Sequence, residues 1–129
     1  MSSFFDLHLH TVKGSSDSSL SPEALVKEAT RIGLSGVCLT EHGGWRDKGE
    51  FERFAHGQEL ILIRALEVDT EFGHIITIGL DEYTTGYFRV RDLRRAVLDA
   101  GGYMIAAHPF RNLFNPPPYN RNLLYQEPS

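Results

Sequence analysis

The chain has 129 residues and a mass of 14.6 kDa, 41% hydrophobic and 23% charged, which bounds it to one domain with a core of moderate size. A net charge of −4 and a pI near 5.8 leave no basic field to draw nucleic acid or an anionic membrane, so an anionic ligand would need bound cations to receive it. The single cysteine, Cys38, excludes an intramolecular disulfide framework and, within the apolar run Gly36-Val37-Cys38-Leu39, reads as a small buried residue.

The N-terminus, MSSFFDLHLH, has neither a basic n-region nor an apolar h-region. No apolar run approaches the roughly 18 residues of a membrane span, so a cytoplasmic protein without a membrane segment is expected.

Residues 4–10 read as a first strand. Ser21-Pro22-Glu23 starts a helix, with serine as N-cap and proline at the first helical position, and Gly33 stops it. Residues 36–40 form a second strand and 50–54 a short helix. Residues 60–68 and 75–80 are the third and fourth strands. The link between them, about 69–73, is too short for a parallel crossover, which needs about a dozen residues, and so predicts a hairpin. Residues 89–100 read as a helix ended by Gly101-Gly102, and 103–107 as a fifth strand. Strands alternating with helices argue for an α/β fold rich in parallel strands. From 112 onward, NLFNPPPYNRNLLYQEPS reads as a Pro-rich irregular segment or a truncated continuation, which bounds the folded domain at 1–111.

Five of the six histidines sit at strand termini. In Asp6-Leu7-His8-Leu9-His10, period two puts His8 and His10 on one face with Asp6, where two imidazoles can converge on one cation and Asp6 can orient them. His42 ends the second strand, Glu67 lies near the end of the third, His74 begins the fourth across the hairpin, and His108 ends the fifth. Carboxyl ends of strands are where α/β folds collect function. Taken singly, each has an ordinary reading: a polar strand face for HxH, a hydrogen-bonded structural histidine for His42 or His108, a salt bridge to Arg64 for Glu67, a loop residue for His74. Taken as a set they read as a metal site. His56 follows a helical stretch and stays outside it.

The runs DLHLHT, SDSSLSPEALVKEATRIGLSGVCLTEH, ALEVDTEFGHIITIGL and AHPF, in this order over residues 5–110, resemble the polymerase and histidinol phosphatase (PHP) family. The resemblance implies a distorted, TIM-like barrel of seven strands, of which about five are legible here. It also implies two or three divalent cations, with zinc, manganese and iron suited to imidazole. His8, His10 and Glu67 would hold one cation, Glu67 would bridge to a second held by His74 and His108, and Asp17 with His42 would hold a third. The stretch between His10 and Asp17 is longer than the family pattern, which leaves the place of Asp17 open.

The implied activity is hydrolysis of phosphomonoesters or phosphodiesters by metal-activated water, with Glu67 and His42 as catalytic residues. Substrates would be small phosphorylated compounds, nucleotides and short oligonucleotides included. Arg111, just past His108, and Arg46, just past His42, are candidate phosphate contacts or, equally, solvated surface residues. The alternative is a non-catalytic, metal-binding PHP module of a larger assembly. After His108 there is no further histidine or aspartate, so the late acidic strand end and final Asp-x-His of the family pattern are missing. The expectation is an incomplete functional unit with a weak third metal site near Asp17 and His42, and self-association through exposed strand edges.

Overall fold

A computed structural model describes residues 2–80 and 87–111. In its first strand, β1 (Phe5–Leu9), exposed Phe5 and Leu7 alternate with half-buried Asp6 and His8. The pairing with the next strand shifts register between Asp6 and Leu9, the stretch that carries His8.

Helix α1 (Pro22–Arg31) begins as its residues dictate, with Ser21 Oγ accepting the Ala24 N–H at 3.1 Å and proline at the first position. It ends at Ile32, after which Gly33 takes φ +83. The Gly33 and Leu34 amides then donate to Thr30 and Ala29, closing the last turn as only an achiral residue does without strain. Strand β2 (Gly36–Glu41) is buried along its whole length, as a strand covered on both faces must be.

Helix α2 (Lys48–His56) is longer than the expected 50–54. Asp47 caps it, accepting from the Gly49 and Glu50 amides at 2.8 and 3.2 Å, so the helix starts earlier and His56 is its last residue. Strands β3 (Ile61–Thr70) and β4 (Gly73–Ile78) form the expected hairpin, antiparallel, with Asp69 opposite His74 and Thr70 opposite Gly73. Helix α3 (Val90–Asp99) leads to β5 (Tyr103–Ala106).

The strands lie in the order β1-β2-β3-β4-β5, parallel from β1 to β3 and antiparallel at β3–β4 and β4–β5. The sheet is therefore mixed where a parallel-rich one was expected. The hairpin turns β4 around, and β5 returns beside it in the direction of β3. Consequently the carboxyl ends of β1, β2, β3 and β5 and the amino end of β4 share one rim of a curled, partial barrel. β1 and β5 are not paired with each other among the described residues, and each leaves an open edge.

Two apolar clusters hold the layers. Leu25 and Ala29 of α1 meet Val37 and Leu39, with Trp45, Phe51 and Leu60 beside them. Leu93 and Val97 of α3 meet Leu66, Val68 and Ile75. Each fully buried large aliphatic side chain contributes about 1.5–3 kcal/mol, so these faces anchor the strands whose ends carry the site. Cys38 is buried, as expected. No helix among the described residues is long and apolar enough to cross a membrane.

Candidate metal centre

Glu67 stands on β3 with only 2% of its side chain exposed, and five imidazoles surround it. Oε2 lies 3.0 Å from His8 Nε2, 2.9 Å from His10 Nε2 and 3.6 Å from His42 Nε2. Oε1 lies 2.8 Å from His74 Nδ1 and 2.8 Å from His108 Nε2. The two carboxylate oxygens thus divide the rim: His8 and His10 on one side, His74 and His108 on the other. Burial opposes the Glu67 charge, but hydrogen bonds from His8, His74 and His108, with the charge of His8, outweigh it and lower the carboxyl from its ordinary 4.5 to about 2.

The spacing fits cations. Two donors each about 2.1 Å from one ion lie about 3.0 Å apart at a right angle and about 3.4 Å apart at a tetrahedral angle. The nitrogen–oxygen distances around Glu67 fall close to that range. His8, Glu67 and His108 form one group of converging donor atoms, and His10, Asp17 and His42 a second, each with its ligand atoms within 4.8 Å of one another. Asp17 Oδ2 is 3.2 Å from His42 Nε2, and the His10 and His42 rings stack with centroids 4.6 Å apart. His10 therefore faces both groups: by Nε2 it reaches Glu67, and by its ring face it meets His42. An imidazole-rich set completed by carboxylates suits zinc, manganese or iron better than calcium.

A set of polar partners orients these side chains. Asp69 Oδ1 is 3.0 Å from His74 Nε2. Ser15 Oγ is 3.4 Å from His10 Nδ1 and receives the His42 backbone N–H at 3.1 Å. Asp6 accepts the His8 backbone N–H at 3.0 Å, so it meets the main chain of that residue. His108 has φ +30, a left-handed value that histidine adopts rarely, and it precedes Pro109, which further restricts its backbone. Such strain collects where surrounding structure fixes a functional side chain.

All seven expected metal ligands (His8, His10, Asp17, His42, Glu67, His74 and His108) line one cleft of about 370 Å³, with Arg111 and Asp69 beside them. Arg46 is exposed and is not among those lining residues. Arg64 does not pair with Glu67: three residues earlier on the strand it faces the other side, donating to the Trp45 carbonyl at 3.0 Å and lying over the Phe51 ring. His56 is at the end of α2, away from the rim.

Sequence reasoning missed Asp69, Ser15 and Glu41. Asp69 was findable, because a short hairpin that brings His74 to the rim also sets the residue opposite it. Glu41 was visible beside His42 but indistinguishable from an acid at a strand end. Only the loop folding back over it shows that it is enclosed.

The sequence matches the family model described as the PHP domain over residues 6–124. It is 33% identical over 76 residues to the error-prone DNA polymerases of Mycobacterium bovis and Mycobacterium tuberculosis, covering 59% of this chain. It is 30% identical over 77 residues to that of Nocardia farcinica, covering 60%. The chain spans about 6% of the length of these curated relatives. A solved structure from Bifidobacterium adolescentis, named as a candidate metal-dependent phosphoesterase, aligns with TM-score 0.51 at 23% identity, covering 74% of this chain and 34% of that one. That likeness extends the match to the fold.

Proposed function

The chain belongs to the PHP domain family, and from that premise we propose that it is a metal-dependent phosphoesterase that hydrolyses phosphomonoesters or phosphodiesters. The observation that carries the reading is the division of four imidazoles between the two oxygens of Glu67, the arrangement a carboxylate needs to bridge two cations. His8 and His10 with Glu67 would hold one cation, and His74 and His108 with Glu67 another. Asp17 and His42 would hold a third, with His10 adjoining both groups. Bound divalent cations at such a centre supply Lewis-acid charge for the phosphoryl oxygens and water acidified enough to attack phosphorus near neutral pH.

The chain's own residues then do the rest. Glu67, nearly sealed from solvent, fixes the imidazoles in one cluster. Asp17 is 59% exposed, so with His42 it stands where substrate enters. Arg111 lines the cleft and is the nearer candidate for pairing with a phosphate. Arg46, exposed on the loop after His42, would meet only a substrate that extends past the cleft. Zinc, manganese and iron are the proposed metals, a small phosphorylated compound, nucleotide or short oligonucleotide the proposed substrate, and the cytoplasm the proposed location. Self-association through the β1 and β5 edges is proposed on the ground that both edges are open among the described residues.

A second reading, a metal-binding module of a larger assembly without turnover, is favoured by one observation: the curated relatives are polymerases in which the matched segment is a small part of the chain. The test is hydrolysis of an aryl phosphomonoester and an aryl phosphodiester by the purified protein with added manganese or zinc. Turnover abolished by a chelator and restored by metal supports the enzyme. Tight metal binding without turnover supports the module. Turnover that persists in chelator overturns both.

A further inference from the structure

The tip of the β3–β4 hairpin serves two clefts. Asp69 and His74, opposite each other on its ladder, line the metal cleft. Glu71, in the turn just beyond, lines a different one of about 400 Å³ with Phe88, Arg89 and Arg91. Two hydrogen bonds build that second cleft. The Glu71 N–H donates to the Phe88 carbonyl at 2.9 Å, and Glu71 Oε2 accepts the Val90 N–H at 2.9 Å. They fasten the chain entering α3 to the hairpin tip. Glu71 is two residues from Asp69, and an extended chain advances at most about 3.6 Å per residue, so their backbones lie within about 7 Å. The second cleft therefore adjoins the metal rim.

Positive charge is concentrated here although the whole chain is acidic. Arg89, Arg91, Arg94 and Arg95, four of the 13 basic residues, fall within seven positions and are all exposed. Arg91 and Arg95 are one turn apart on the solvent face of α3, with Arg94 beside them, while Leu93 and Val97 face the core. Among the described residues the one carboxylate paired with any of the four is Asp92, 4.0 Å from Arg91 Nε. Glu71 adds an acid to the cleft, but its carboxylate is turned to the Val90 amide, and two guanidiniums stand against it. Phe88 holds its ring beside them, 55% exposed. An aromatic face among arginines is what unpaired bases and their phosphates require together. An acidic peptide would need the arginines alone, and a free phosphate would leave both Phe88 and the row along α3 unused.

We propose that the cleft of Phe88, Arg89 and Arg91, continued along α3 by Arg94 and Arg95, binds single-stranded nucleic acid beside the metal rim. The guanidiniums take successive phosphates, and the Phe88 ring stacks on a base. Binding of this kind reads no sequence, since every base has a face to stack and every phosphate the same charge. A strand held here passes the hairpin tip toward Asp69 and His74, which places a neighbouring phosphodiester at the metal cleft. That last consequence rests on the phosphoesterase reading, whereas the binding itself does not.

The test is fluorescence anisotropy of a labelled oligothymidylate of about 12 nucleotides, titrated with the full chain in chelator over a range of salt concentrations. The unsubstituted protein should bind, with affinity falling as salt rises. Arg89→Ala with Arg91→Ala should weaken binding at least about 10-fold and reduce the slope of log affinity against log salt by about 0.7 for each arginine removed. Phe88→Ala should weaken binding about 5-fold or more without changing that slope. Arg53→Ala, which removes an exposed arginine of α2, should leave affinity unchanged. No binding by the unsubstituted protein at low salt overturns the proposal, as does a double arginine variant that binds as well as the Arg53 variant. Displacement by polyglutamate as effective as by unlabelled oligothymidylate, with Phe88→Ala without effect, makes this a face for acidic protein and overturns it too. The two readings fail separately. Oligonucleotide binding without turnover of any phosphoester defeats the enzyme and leaves this site standing, whereas turnover of an aryl phosphodiester without oligonucleotide binding defeats this site alone.

Discussion

Asp69 Oδ1 lies 3.0 Å from His74 Nε2, and the two residues face each other directly across the β3–β4 ladder. His74 is thereby turned over relative to its neighbours. It offers Nδ1 to Glu67, whereas His8, His10 and His108 offer Nε2. A carboxylate on the far nitrogen fixes the tautomer and makes the near nitrogen a better ligand. Asp69→Asn should lower zinc or manganese affinity about 10-fold. Asp69 is 71% exposed, so unfolding stability of the metal-free protein should move by no more than about 0.5 kcal/mol. Calorimetric metal titration beside a urea melt checks both, and unchanged affinity would remove Asp69 from the centre.

Glu67→Gln should be the most damaging conservative change to metal content, because it removes the one charge placed between both imidazole pairs while keeping the side chain's shape. His56→Ala, at the end of α2, should leave metal content unchanged. Elemental analysis after reconstitution and desalting measures both. Equal metal content in the two variants would contradict the ligand assignment.

Acid should weaken the metal-free protein in a defined window. The Glu67 carboxyl titrates near 4.5 when unfolded and at about 2 when folded. A lowered folded value means that the stabilisation is fully present above about 4.5 and is lost as pH falls from there toward about 2. The unfolding free energy from urea melts should therefore decline across that interval, by up to about 3 kcal/mol from this residue. In Glu67→Gln that share of the slope should be absent. A slope identical in both proteins would mean that the buried carboxylate is not held ionised by its imidazoles.

Gly14→Ala should disturb the loop on which Ser15 sits. The added methyl would meet the Glu41 stem at 2.6 Å and the Gly44 carbonyl at 2.9 Å, so one of the two must move. Overpacking of this kind costs about 1–3 kcal/mol. Gly57→Ala, whose Cβ would come no closer than 3.7 Å to its surroundings, is the matched control and should be nearly neutral. Thermal unfolding of the two variants reads the difference.

Much of the fold was legible because its signals are local. Ser21-Pro22 starts α1 and Gly33 ends it, whatever lies elsewhere, since caps answer to amides and carbonyls within a turn. The short link before His74 excluded a crossover, so chain length alone required the hairpin. The strand-end histidines and Glu67 were legible as a candidate set because each stands at an element end that the topology brings to one rim. Where the reading fell short, a local signal had been underweighted, as with Asp47 at the start of α2, or the deciding contact was distant. The antiparallel return of β5 depends on ladder bonds to β4, on the far side of α3 in the chain.

The amino-acid sequence by itself determined which elements form and which donor atoms reach the rim. Tertiary structure alone decided what each donor does there. Glu41 and Glu67 are the same residue type near the ends of adjacent strands. Glu41 is consumed by Thr11 and Ser15, 30 and 26 residues away, while Glu67 is left to histidines up to 59 residues distant. The same holds for His74, whose Nε2 meets Asp69 while its Nδ1 meets Glu67. Composition and periodicity carry no information on these points, because a carboxylate's role and a ring's tautomer are set by the hydrogen-bond partners that folding brings to the other side of the group.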